Sequence, residues 1–241
     1  MPAAWWLTSG VAASLDIPRL LVDCPCGVGR RSIAGHDVTK PLTQCLFLLN
    51  YDPAHKEIPT VRFRGLLMRA AALAELTLGR VLELNGAALG RGPGEPPADP
   101  FLVQVLSDVP AGKVHLPSLL QRNYREAEAV VRTQLLDAGD VVVVGGSRLG
   151  VRDVEAVERL RREVRDAVER DGDPVSLSPE VLLMAVLSAE AEVDPLFPLG
   201  DRVRYRKRLG HLASELDNEM PGFRKALRTS VATLRGINSG W

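Results

Sequence analysis

The side chains best equipped for chemistry in this chain are its arginines. Thirty residues are basic and only five of these are Lys. Arg62, Arg64 and Arg69 surround the start of "GLLMRAAALAELTLGRVLEL", residues 65–84, which reads as a helix, and Arg122 and Arg125 lie three apart in a second helical run. Guanidinium groups make paired, charge-assisted hydrogen bonds to phosphate. A helix start adds free amides and the positive end of its dipole. The chemistry these residues predict is anion binding, with Arg69, Arg125, Arg122 and Arg64 as the contacts. The competing reading locks Arg69 to a buried carboxylate such as Glu75 and leaves the others solvated. A further basic run, Arg202, Arg204, Arg206, Lys207 and Arg208 around Tyr205, reads first as a solvated face, with contact to an anionic bilayer as the alternative.

The other candidate motifs fall short of catalysis. "VVVVGGSRLG", residues 141–150, offers a strand and a glycine turn. Aligned on Gly145, the dinucleotide pattern finds Ser147 at its second glycine, and no second parallel strand follows. The stretch is better read as a hairpin, Val141 to Val144 against Arg148 to Val151, with glycines in the reversal. No G-x-x-x-x-G-K-[ST] loop occurs. Cys24, Cys26 and Cys45 form no ligand spacing with His36, His55, His115 or His211, so they read as free thiols and no metal is expected. Ser, Asp and His are scattered without a nucleophile elbow. The expectation is a binding protein, not an enzyme, with no cofactor.

Composition supports a globular chain without a dominant field. Of 241 residues 46% are hydrophobic, and thirty acidic residues balance the thirty basic ones. No net charge recruits nucleic acid or membrane, so any electrostatic partner is read from local clusters. Three cysteines are too few for a disulfide framework, which points to a reducing cytoplasm. The apolar start, "MPAAWWLTSGVAASL", lacks the preceding positive charge of a secretion signal. No stretch reaches the ~18 apolar residues of a transmembrane helix, so membrane contact is expected to be peripheral.

Periodicity supplies the elements. Leu42, Cys45, Leu46 and Leu49 share one helical face. Residues 65–80 are apolar nearly all round, as in a helix buried at the middle of a bundle. Residues 85–113, with "RGPGEPPADP", read as a long connection. A helix is expected over 118–138, closed by Gly139, and another over 152–170 with Glu155–Arg159, Glu158–Arg162 and Asp166–Arg170 as pairs on its wet side. Ser178-Pro179-Glu180 opens a buried helix, and two more follow over 201–216 and 221–234. The fold class is mainly α: a single helical-bundle domain over 41–236 with a buried central helix and one β-hairpin, after an extension over 1–40.

A helix followed by a two-stranded wing also suits a winged-helix DNA-binding module. Arg122, Arg125 and Arg132 are there offset by Glu126, Glu128 and Asp137, which makes nucleic acid the lesser reading. Three stretches in order, "LTQCLFLLNYDPAHKEIPTVRFRGLLMRAAALAELTLGRVLEL", "VVRTQLLDAGDVVVV" and "SPEVLLMAVLSAEAEVDPLF", carry a closer likeness. Over about residues 41–236 the chain resembles the Golgi phosphoprotein 3 family, a mostly helical peripheral-membrane module with a β-hairpin. The resemblance implies binding of the 4-phosphate inositol lipid headgroup through arginines, and adaptation of membrane enzymes to vesicle coats. Family arginines fall on Arg69 and Arg125, a third family arginine position holds Glu128, and the loop tryptophan falls near Thr60. The partners implied are an anionic phospholipid headgroup and a membrane surface met from the cytoplasm, with Arg69 and Arg125 converging on one phosphate.

Overall fold

A computed structural model describes residues 40–170 and 172–238. The likeness of Cys24 and Cys26 to a ligand pair, and all of the extension over 1–40 except Lys40, lie outside the described residues.

An apolar stretch with no wet face must be covered on every side, and two helices of this kind organise the molecule. The first is α2, Arg64–Leu78, in which every residue from Arg64 to Ala74 is buried. It is covered by α1 (Leu42–Leu48), α3 (Pro100–Ser107), α4 (Leu116–Gln121), α5 (Tyr124–Asp137) and α7 (Pro179–Glu190). The second is α7 itself, buried without interruption from Val181 to Ser188. Its start is the capped one expected: the Ser178 hydroxyl accepts from the Val181 amide at 3.2 Å, with Pro179 at the first helical position. The fold is mainly α, as the periodicity implies.

The relative directions of α1 and α2 follow from two contacts. The Leu42 amide donates to Glu75 near the end of α2, and the Arg64 guanidinium stacks 5.0 Å from the Phe47 ring near its start. The two helices are therefore antiparallel. α5 runs parallel to α2, with Arg64 bonded to Glu128 in the first half of α5 and Lys40, just ahead of α1, paired with Asp140 just beyond α5.

The expected hairpin is present. β4 (Val141–Gly145) and β5 (Arg148–Val151) pair antiparallel, Val141 opposite Val151 and Val143 opposite Leu149, with a bulge between Val143 and Gly145. Gly146 turns the chain at φ 57, where a side chain is strained. α6 (Val154–Glu169) follows, capped by Asp153. Its wet side carries the Asp166–Arg170 pair at 2.7 Å, while Glu158 turns to Arg161 at 3.6 Å. The chain ends in α8 (Leu199–Arg204), α9 (Arg206–Glu219) and α10 (Phe223–Asn238).

Four segments differ from the sequence reading, one of them the single helix expected over 201–216, which is α8 and α9 with Tyr205 between them. The central helix stops at Leu78 because Gly79 closes it and Arg80 takes a left-handed φ of 57, so the rest of the apolar run becomes strand β1 (Leu82–Asn85). The supposed connection over 85–113 contains β2 (Ala88–Arg91) and α3, and the short β3 (Val114–His115) follows it, so the hairpin is joined by a three-stranded antiparallel sheet in the order β1-β2-β3. The signals were local: Asn85-Gly86, with Gly86 at φ 62, makes a tight reversal, and Asp99 ahead of Pro100 caps α3 through the Leu102 amide at 2.9 Å. The single helix expected over 118–138 is two, α4 and α5, broken where Asn123 adopts φ 50.

Candidate anion site at the start of the central helix

The start of α2 is buried but carries no compensating side chain. Its N-cap is Phe63, no side chain caps its first amides, and its first turn carries no acid. The donors that α3, α6 and α7 satisfy with Asp99, Asp153 and Ser178 are not met by a side chain here, as in α1, α4, α5, α8 and α9, and no first-turn acid offsets the positive dipole end. The start of α5 is pressed against it: a Cβ on Gly65 would stand 2.0 Å from the Tyr124 carbonyl oxygen and 3.8 Å from the Arg125 Cα. Only glycine permits that approach, and it delivers Arg125 to the first turn of α2.

The side chains around this junction divide into two kinds. Arg125 is exposed, its Nε 3.2 Å from the Tyr124 hydroxyl and its guanidinium 5.8 Å from that ring. Arg122, just before the break, is also exposed and donates to the Asp108 carbonyl at 2.6 Å. Arg62 is exposed over the buried Phe63 ring at 5.7 Å, and Arg235 of α10, paired with Glu192, approaches the same ring at 5.8 Å.

Arg64 and Arg69 are of the other kind. Arg69 is 1% exposed. Its Nη1 donates to Asp108 at 2.7 Å, and its Nη2 and Nε donate to the Leu119 carbonyl at 2.9 and 3.3 Å. Burial pulls its guanidinium below the ordinary range, and the Asp108 hydrogen bond and charge oppose this. Arg64, 2% exposed, bonds Glu128 at 2.8 Å and the Pro59 carbonyl. The expected convergence of Arg69 and Arg125 on one phosphate is therefore corrected: the two helices meet as anticipated, but the Arg69 guanidinium is enclosed, and so is that of Arg64. The alternative partner for Arg69 is corrected too. Residues six apart on a helix point about 120° apart, and Glu75 instead accepts from the Leu42 amide at 2.9 Å. Asp108 takes its place from the end of α3, a helix absent from the sequence reading.

Three arginines gather at that end of α3. Arg69 meets the Asp108 carboxylate, Arg122 the Asp108 carbonyl, and Arg91 the carbonyls of Leu106 and Val109 at 2.6 and 3.0 Å. Cations are favoured there by the free carbonyls and negative dipole end. Arg161 of α6 plays a similar part that the sequence reading missed, donating to the carbonyls of Leu49, Tyr51 and Pro195. It lies four residues after Val157 and three before Val164, on the buried side of α6, whereas the sequence reading gave Glu158 to Arg162 and assigned Arg161 no part.

An apolar feature completes the surroundings. Val143 and Val144 at the hairpin's far end are 59% and 47% exposed. Four consecutive valines on a two-stranded ribbon must present some of their side chains to solvent, a signal that was available in the sequence. The Ile58 amide donates to the Leu149 carbonyl at 2.6 Å, so the hairpin is tied to the loop that feeds Pro59 and α2.

Cys45 is buried and its thiol is pushed up to about 12, first by burial and then by the nearby Glu75 charge, which leaves it protonated and inert. Among the described residues no group of His, Cys, Asp and Glu is arranged to hold a metal ion. A groove of 760 Å³ between α7 and α10 is lined in part by Glu190, Asp217, Arg224 and Arg228, which pair with one another. No helix of the described residues is long and apolar enough to cross a membrane.

No curated protein matches the chain significantly. A family model does: that described as Golgi phosphoprotein 3 (GPP34) matches residues 42–231, from the first residue of α1 into α10. That span covers most of the sequence, and the chain belongs to the Golgi phosphoprotein 3 family.

Proposed function

We propose that this protein binds anionic lipid headgroups of the phosphoinositide kind at a membrane surface, peripherally and without chemistry, and so acts as an adaptor on the cytoplasmic face. The observation that carries the reading is the uncapped start of α2 with exposed Arg125 and Arg62 beside it. A positive dipole end and exposed guanidinium groups are what a phosphate is drawn to. Arg122 extends the basic rim. The exposed Val143 and Val144 supply an apolar group for the headgroup layer. Arg64 and Arg69 build the site from beneath, since they hold the loop at Pro59 and the end of α3 in place. Nothing favours the winged-helix alternative: α5 packs along α2, and its wet face mixes Arg125 and Arg132 with Glu126 and Asp137.

Flotation with vesicles of phosphatidylcholine alone, and with added phosphatidylserine or a 4-phosphorylated phosphoinositide, tests this. Binding to the anionic vesicles is expected, weakening as salt rises. Arg125→Ala should weaken it ~tenfold or more at unchanged stability, since each charge-assisted contact is worth ~1.5–3 kcal/mol. Arg69→Ala should instead destabilise the fold by about 3–5 kcal/mol, because it strands the Asp108 carboxylate. A chain that ignores anionic vesicles and shifts random duplex DNA would overturn the reading.

A further inference from the structure

The basic run around Tyr205 is not absorbed by the site at α2. α8 leaves Leu199 and Val203 69% and 68% exposed. Four residues apart, they share one face of that helix. The helix is held down by other residues: Asp201 pairs with Arg165 at 3.0 Å and Arg202 with Asp194 at 2.9 Å. The apolar pair is thus presented outward by a fastened element. Arg204 at its last position, and Arg206 and Lys207 at the start of α9, are exposed. None of the three has a carboxylate partner among the described residues; Arg204 lies 5.4 Å from the Tyr205 ring.

The place of α8 in the bundle follows from α6. That helix starts just past the base of the hairpin, where Val151 pairs with Val141 beyond the end of α5. Two turns on, Arg161 reaches the carbonyls of Leu49 and Tyr51 at the far end of α1, the end that lies by the start of α2. One further turn on, Arg165 donates to the Leu196 carbonyl and to Asp201. α8 is therefore at the end of the bundle where α2 begins, the end that carries Arg62 and Arg125.

We propose that α8 and the first turn of α9 form a second contact with the anionic membrane surface. Leu199 and Val203 enter the headgroup layer, and Arg204, Arg206 and Lys207 pair with lipid phosphates. Two exposed apolar residues beside three exposed cations are the composition of an interfacial helix. A symmetric contact between two copies of this chain would instead set these cations against their own counterparts. The inference rests on the peripheral-binding reading above and adds a second point of attachment, which fixes the orientation of the bundle on the bilayer.

The test uses the full chain and phosphatidylcholine vesicles with and without phosphatidylserine. Leu199→Ser with Val203→Ser, and separately Arg204→Gln with Arg206→Gln and Lys207→Gln, should each lower vesicle affinity about tenfold or more, at unchanged thermal stability. Hydrogen exchange over 199–207 should slow when vesicles are added. Wild-type affinity in both variants would overturn this inference and leave the reading at α2 standing. A wild-type chain that binds no anionic vesicle would overturn both. If gel filtration shows an oligomer that the Leu199 and Val203 substitutions dissociate, the face is a protein contact and the inference fails.

Discussion

A buried carboxylate shows how single residues here are set by contacts distant in sequence. Glu75 accepts from the Leu42 amide across 33 positions, and its pKa is raised from 4.5 to about 7, chiefly by burial, with Asp99 and Glu180 adding repulsion and the Leu42 and Thr43 amides opposing. Below 4.5 the group is protonated whether folded or unfolded; above 7 the folded protein must hold it charged. Its contribution to stability is therefore fully present below 4.5 and lost as pH rises through about 7. Glu75→Gln keeps an acceptor for Leu42 without the charge. The variant's thermal midpoint should fall less than the wild type's as pH rises across that window. Parallel midpoint curves would show that burial does not govern this group. Arg69 teaches the same lesson about legibility. Its burial was weighed from the sequence, but Asp108 was not named, because a carboxylate 39 residues away is reached only by folding and shares no local pattern with it.

At the scale of elements, what could be read from the sequence depends on how much of an element's surface is apolar. α1, α2 and α7 are covered on most sides, so their composition identifies them without reference to neighbours. The hairpin at 141–151 announces itself by valines flanking glycines. Strands β1 and β2 are four residues each, too short for alternation to outweigh the glycines and prolines that follow. The junction of α2 with α5 was expected, but its tightness depends on Gly65. A methyl group there would stand 2.0 Å from a backbone oxygen that has no rotamer to change. Gly65→Ala should force α5 outward, costing ~1–3 kcal/mol by overpacking and moving Arg125 off the first turn of α2. The denaturant midpoint should drop and vesicle affinity with it. An alanine variant with wild-type stability would mean that the two helices are not held at this distance.

The molecule as a whole carries no net charge, so a long-range field cannot draw it to an anionic surface. Attraction must come from charges gathered at one end, and Arg62, Arg122 and Arg125 are exposed there while Arg64 and Arg69 are enclosed. The Debye length falls from ~10 Å to ~3 Å between 0.1 and 1 M salt, so this part of the binding should fade with ionic strength. Burial of apolar surface does not fade in the same way, since it depends on area removed from water. Val143 and Val144 should therefore leave a residue of binding that salt does not remove. Substituting both by Ser should shrink the salt-resistant fraction in vesicle flotation to what Leu199 and Val203 supply, and spare most of the low-salt binding. Arg125→Ala should do the reverse, flattening the salt dependence while the high-salt remainder persists. If both variants scale the whole curve down by the same factor, the valines and the arginine act as one inseparable contact, and the division of labour between charge and apolar surface argued from their positions would be wrong.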